Sequence, residues 1–270
     1  MEAADALKRD VAATLGAARA AVVDRHAARL LPFDWSQDVL AAKLIDDVQQ
    51  ELHENFADTT WPHCPAHPNH PLWFEDGAWR CSELGRPVAA LGDLETVYFN
   101  DAIVGLRRGD FDRLAPLFQD RGDGPCLMMT WHGEGRFANH PEELAEALSN
   151  ACFLGRTEVV KALMAAGVDV TSGTGCGLDG VHWAVNRGQI ETVRLLIALG
   201  APLETINMHG QTALGTAVWS AINEPKPDHL EIIHALLDAG ANVDAAGYPT
   251  GAPEIDALLE KYGAVAESAD

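Results

Sequence analysis

Apolar side chains return at the three- and four-residue steps of one helix face in two bursts in the second half of the chain. Val193, Leu195, Leu196 and Leu199 form one burst, and Val159, Val160, Leu163 and Met164 the other. Each follows a shorter apolar run and a glycine, and each closes on a second glycine. Gly155 and Gly188 lie 33 residues apart, as do the closing glycines Gly167 and Gly200. A pair of short helices cannot cover such faces alone, so the pattern predicts stacked helix pairs that share a core with their neighbours.

The unit from Leu178 to Glu204 carries the pattern most fully. It runs Leu178-Asp179-Gly180-Val181-His182-Trp183-Ala184-Val185, turns at Gly188, and continues Thr192-Val193-Arg194-Leu195-Leu196-Ile197-Ala198-Leu199-Gly200-Ala201. This resembles the ankyrin pattern T-P-L-H-x-A-A-x-x-G-x-x-E-V-V-x-L-L-L-x-x-G-A-D, whose period is 33 residues. The resemblance implies a mostly α fold, a solenoid of helix-turn-helix repeats that binds proteins and does no catalysis. It also implies that His182 holds the first helix of its repeat by bonding neighbouring backbone. Asp179 and Gly180 stand where Thr and Pro are usual, so an altered entry turn is expected.

A similar unit precedes this one, from about Glu143 to Thr171, with Leu144, Leu148 and Phe153 on its first helix. Another follows, from Asn207 to Asp244. Its closing Gly240 comes 40 residues after Gly200, and the excess falls at Ala221–Pro227. Pro225 and Pro227 rule out a continuous helix, so a protruding loop is expected between the two helices. Pro253–Ala264 reads as a half repeat with charged positions, suited to a terminal cap. Upstream, Asn100–Phe118 has the same helix, glycine and helix. Between it and the next unit, Gln119–Glu142 contains Gly122, Gly124, Gly133 and Gly135, and a long finger or hairpin is expected there. Met128, Met129 and Trp131 on such a finger could serve as contacts or pack on the array.

Residues before about 98 lack the period. Met1–Leu31 and Ser36–Phe56 read as two helices split by Pro32. Ser36 is a candidate N-cap for the second, and Val39, Leu40, Leu44, Val48 and Leu52 line one side of it. The layout expected is a helical region over 1–60, a small Cys/His loop module over 61–94, and about four to five repeats over 95–264, degenerate at the ends.

Candidate chemistry is concentrated in Trp61-Pro62-His63-Cys64-Pro65-Ala66-His67-Pro68-Asn69-His70-Pro71-Leu72-Trp73, followed by Trp79-Arg80-Cys81. Cys64 and His67 have the two-residue gap that lets a thiolate and an imidazole reach one zinc ion. Trp73–Trp79 reads as a hairpin turning at Gly77, which would return Cys81 to the pair. The segment resembles a degenerate zinc ribbon and implies structural zinc on Cys64, His67, His70 and Cys81. Its second knuckle, Cys81-Ser82-Glu83-Leu84, lacks a second Cys, so His70 or His63 would have to complete the set. A rigid Pro- and Trp-rich loop with solvated histidines is the competing reading. A catalytic zinc would leave Glu75 as nearest general base. Cys126, Cys152 and Cys176 have no local nucleophile signature, and no phosphate-binding glycine loop is present.

Net charge is −21, from 40 acidic and 19 basic residues. That argues against nucleic acid, where clustered Lys and Arg are needed, and favours a basic protein partner. Acidity that merely keeps the chain soluble and monomeric would look the same. Charges interrupt the Ala-rich N-terminus too often for a membrane span, and five cysteines do not resemble a secreted disulfide framework. A cytoplasmic monomer is therefore expected. Partner contacts are expected from Trp131, Trp183, Asn207, His209, Trp219, Asn223, Glu224 and Lys226. One use for such a surface is to neutralise a basic effector, as an immunity or inhibitor protein does. The alternative is a metal-dependent enzyme or regulator centred on Cys64, His67, His70 and Cys81.

Overall fold

The computed structural model describes residues 2–30, 32–55, 60–121, 124–175 and 177–266. The chain forms two compact units, Met1–Ala102 with Gln119–Thr130, and Ile103–Phe118 with Trp131–Asp270. Among the described residues no helix is long and apolar enough to cross a membrane.

The first unit opens with α1 (Glu2–Leu15), α2 (Ala21–Leu30) and α3 (Gln37–Asn55). Two helices therefore stand where one was expected before Pro32. Gly16 sits at φ 100 and ψ 154, outside helical space, and a 3-10 turn over Ala17–Ala20 restarts the chain. Ser36 does cap α3, its hydroxyl accepting the Val39 amide at 3.4 Å. The buried stripe of α3 is Leu44, Ile45, Val48 and Leu52, while Val39 is exposed. Phe56 lies outside the described residues.

Residues 61–94, expected as a loop, contain five short strands. β1 (His63–Cys64) pairs antiparallel with β2 (His67–Pro71), and β3 (Trp73–Glu75), β4 (Ala78–Arg80) and β5 (Pro87–Ala90) form an antiparallel sheet in that order. The hairpin expected at Gly77 is present: Asp76 at φ 51 and Gly77 at φ 77 supply the left-handed pair of a two-residue turn. Trp79 is fully buried and meets Trp61 and Phe74 edge-on. Its indole N–H donates to Asp10 at 2.7 Å, and the same carboxylate accepts the amides of Gly92 at 2.8 Å and Leu94 at 3.0 Å. One buried acid thus ties α1 to β4 and to the start of α4 (Leu94–Arg108).

The second unit is helical. Gly109, at φ 71, turns the end of α4 into α5 (Phe111–Leu114). The finger expected over Gln119–Glu142 is instead α6 (Leu127–Gly133), whose residues up to Thr130 are counted with the first unit, and a 3-10 turn at Arg136–Asn139. Leu127, Met128 and Trp131 fall on one side of that helix and are buried, Trp131 completely, because their spacing gives the short helix a single apolar face. Then come α7 (Pro141–Phe153) with α8 (Thr157–Ala165), α9 (Gly180–Asn186) with α10 (Ile190–Ala198), and α11 (Ala213–Asn223) with α12 (His229–Asp238). The first helices contribute Leu148, Ala151, Ala184, Val185, Leu214 and Ala217 to the core, and the second helices Val160, Leu163, Val193, Leu196, Ile232 and Leu236. α13 (Pro253–Lys261) buries only Ile255 and Leu259, as a closing helix should.

The turn glycines are required twice over. Gly155 and Gly188 have φ of 68 and 73, and each is covered by the next unit: a Cβ at Gly155 would lie 2.3 Å from Gln189 Oε1, and one at Gly188 would lie 2.8 Å from Lys226 Cβ.

Candidate functional site

The second and third helix pairs enter through turns that cap their first helices, whereas α7 has no side-chain cap. Thr212 caps α11, its hydroxyl accepting the Gly215 amide at 3.3 Å. Asp179 does the same for α9 through the His182 amide at 3.0 Å, so the altered entry turn keeps its cap with a different side chain. The carboxylate also accepts His182 Nδ1 at 2.7 Å and the Thr205 hydroxyl at 3.0 Å. His182 Nε2 reaches the Gln211 carbonyl at 3.0 Å, linking its unit to the next. The ring faces an acceptor on both nitrogens and is 1% exposed, which fits the holding role implied for it. Burial works to raise the Asp179 pKa, but the bonds from His182 and Thr205 hold it below the ordinary carboxylate value.

The expected contact residues divide into four groups. His209, Trp219, Asn223, Glu224 and Lys226 are exposed, the last three on the lengthened turn between α11 and α12. Asn207 is occupied within its hairpin, accepting the amides of His209 and Gln211 and donating to Thr216. Trp183 is half-buried, edge-on to Phe111 and Phe153 with centroids at 5.6 and 5.3 Å. Trp131 is buried and reaches no surface.

Among the exposed apolar side chains of the repeats, Ile206 (69% exposed), Met208 (70%), Ile222 and Leu230 were not singled out from the sequence. The first two sit at a hairpin tip in an otherwise polar run, which was the available signal. Met208 is fixed there, its amide donating to the Gly177 carbonyl at 3.0 Å and its sulfur lying over Gly177. The lengthened turn is anchored as well. His229 is buried, which lowers its pKa and keeps it neutral; Nδ1 accepts the Lys226 amide at 3.1 Å, so Nε2 carries the hydrogen that it gives to the Asn186 carbonyl at 3.2 Å.

In the first unit the strand pairing assembles a different set. Cys64 on β1 is the register partner of His67 on β2, and Cys81 follows β4 directly. His67 Nδ1 is 3.8 Å from Cys64 Sγ and 3.3 Å from Cys81 Sγ, and the three ligand atoms all lie within 4.8 Å of one another. Both cysteines are fully buried. His70 is not among the three: it is exposed, its ring is 5.9 Å from that of His67, and its Nδ1 is 3.7 Å from Glu83. His63 stacks on Tyr98 at 4.6 Å, and Glu75 points to Arg80 at 3.6 Å. Burial opposes ionisation of Cys81, but hydrogen bonds from His67, the Leu84 amide, Cys64 and the Glu83 amide bring its thiol down to about 7. Burial and the bond with Cys81 push the Cys64 thiol up. Burial also pushes up Cys126 and Cys152, which suits inert core thiols. Cys176 lies outside the described residues.

Residues 148–246 match the family model for ankyrin repeats, in three copies. A comparison with curated proteins finds no match. The matched stretch runs from within α7 to the 3-10 turn at Val243–Ala246 and so takes in all three helix pairs.

Proposed function

Residues 148–246 are ankyrin repeats, a protein-binding module, and from that premise we propose that this chain works without catalysis by gripping a basic protein partner. It acts as a cytoplasmic monomer and occupies the partner's working surface, as an immunity or inhibitor protein does. The observation that carries this reading is the apolar set Ile206, Met208, Trp219, Ile222 and Leu230, exposed on the array while the repeat core is complete without them. Rigid, exposed apolar side chains of this kind are what interface centres are made from. The formal charge of −21 supports a basic partner, because complementary charge speeds encounter and screens out wrong ones.

The test is capture by the tagged full chain from a lysate at low salt, beside an Ile206→Asp, Met208→Asp variant. Lysine- and arginine-rich proteins should be retained, released as salt rises, and lost in the variant while its circular dichroism is unchanged. Capture that is insensitive to salt would sink the basic partner. Identical capture by the variant would sink the contact surface.

A further inference from the structure

We infer that Cys64, His67 and Cys81 form a zinc site with three protein ligands, and that it fastens the β1–β2 hairpin to the turn after β4. This inference stands apart from the binding role of the repeats. Zinc held by sulfur at about 2.3 Å and nitrogen at about 2.0 to 2.1 Å with tetrahedral angles requires S···N edges of about 3.6 Å. The two edges here, 3.8 and 3.3 Å, straddle that value.

A second observation is independent of those distances. Cys64 is followed within its hairpin by His67, its register partner, and Cys81 by a tight turn in which the Leu84 and Gly85 amides donate to the Cys81 carbonyl, both at 3.2 Å. The third residue after the cysteine is His67 in the first turn and Leu84 in the second, so the two turns differ at one ligand position. Among the described residues no fourth protein ligand joins the group, which leaves one place of a tetrahedral ion to a ligand from outside the set. A metal has mechanical work here, since a two-stranded and a three-stranded sheet of such short strands have little core of their own.

The experiment uses the full chain, reduced and freed of metal, titrated with Zn2+ against a chromophoric chelator and with Co2+ to read thiolate-to-metal absorption. Wild type should bind one ion per chain. Cys81→Ser should bind more than about 100-fold more weakly, since changes to outer partners alone cost about 10- to 100-fold. Leu84→Cys should bind at least about tenfold more tightly, a gain that misfolding cannot imitate, while Leu84→Ala should bind as wild type. No zinc bound by the reduced wild type would overturn the inference. So would undiminished binding by Cys81→Ser or no gain in Leu84→Cys, the latter deciding the matter if Cys81→Ser fails to fold. A Cys64–Cys81 disulfide in protein purified from a reducing cytoplasm would make the pair a redox dithiol and would also overturn it.

Discussion

Replacing Asp179 with alanine removes three hydrogen bonds from one buried carboxylate: those from the His182 amide, the His182 ring and the Thr205 hydroxyl. Losing the cap costs about 0.5 to 2 kcal/mol. Leaving the buried ring nitrogen without its partner costs about 1 to 3 kcal/mol more. An overall loss of about 1.5 to 5 kcal/mol follows, a large share of the roughly 5 to 15 kcal/mol that holds a domain together. Asp179→Thr separates the two contributions. Its hydroxyl restores the cap that Thr212 provides in the next unit, so only the ring's loss remains and the cost should fall by about 1 kcal/mol. The assay is urea unfolding of the full chain followed by circular dichroism, comparing midpoints, because arrays depart from two-state behaviour. The pH dependence has a definite sign. With the folded pKa held below its unfolded value, Asp179's stabilisation is present above the unfolded value near 3.8 and is lost as pH falls through the folded one. The gap between wild type and Asp179→Thr should therefore close in acid. Equal midpoints for wild type and Asp179→Ala at neutral pH would refute the reasoning.

Three further outcomes follow from the packing. Asp10→Asn should cost about 2 to 4 kcal/mol, because its NH2 would face N–H donors that now meet a carboxylate; an unchanged midpoint by tryptophan fluorescence would contradict this. Trp131→Ala should cost about 3 to 5 kcal/mol in chemical unfolding, whereas a change below about 1 would favour the exposed finger that the sequence suggests. Gly188→Ala should destabilise by about 1 to 3 kcal/mol, with Gly200→Ala, equally left-handed but in open space, losing less in the same melting series.

The repeats were legible because their constraints are local. A glycine at positive φ and a helix face both leave fixed spacings, and Gly155, Gly188 and the Leu-rich runs display them. Asp179 marks an altered entry turn in the sequence, yet aspartate caps a helix as well as threonine does, and only the structure shows the carboxylate also holding His182. Gly133 and Gly135 suggested a loop around Trp131, and the apolar set of α6 is too short for periodicity to overrule them. Near Cys64, three histidines are equivalent on paper. The pairing register puts His67 opposite the thiol and His70 away from it, and register is a property of two strands rather than one. Asp10 had no signal at all, since its partners lie 69, 82 and 84 residues further on.

Under the proposed binding role, the seating of the turn between α11 and α12 bears on how new targets could be acquired. It is anchored by the Lys226 backbone amide, by His229 and by the carbonyl of Asn186, none of which depends on the side chains displayed from Ile222 to Pro227. Those side chains form a cassette: selection, or an engineer, can rewrite them one after another and screen the products for altered targets, while the same clip holds the replacement in place.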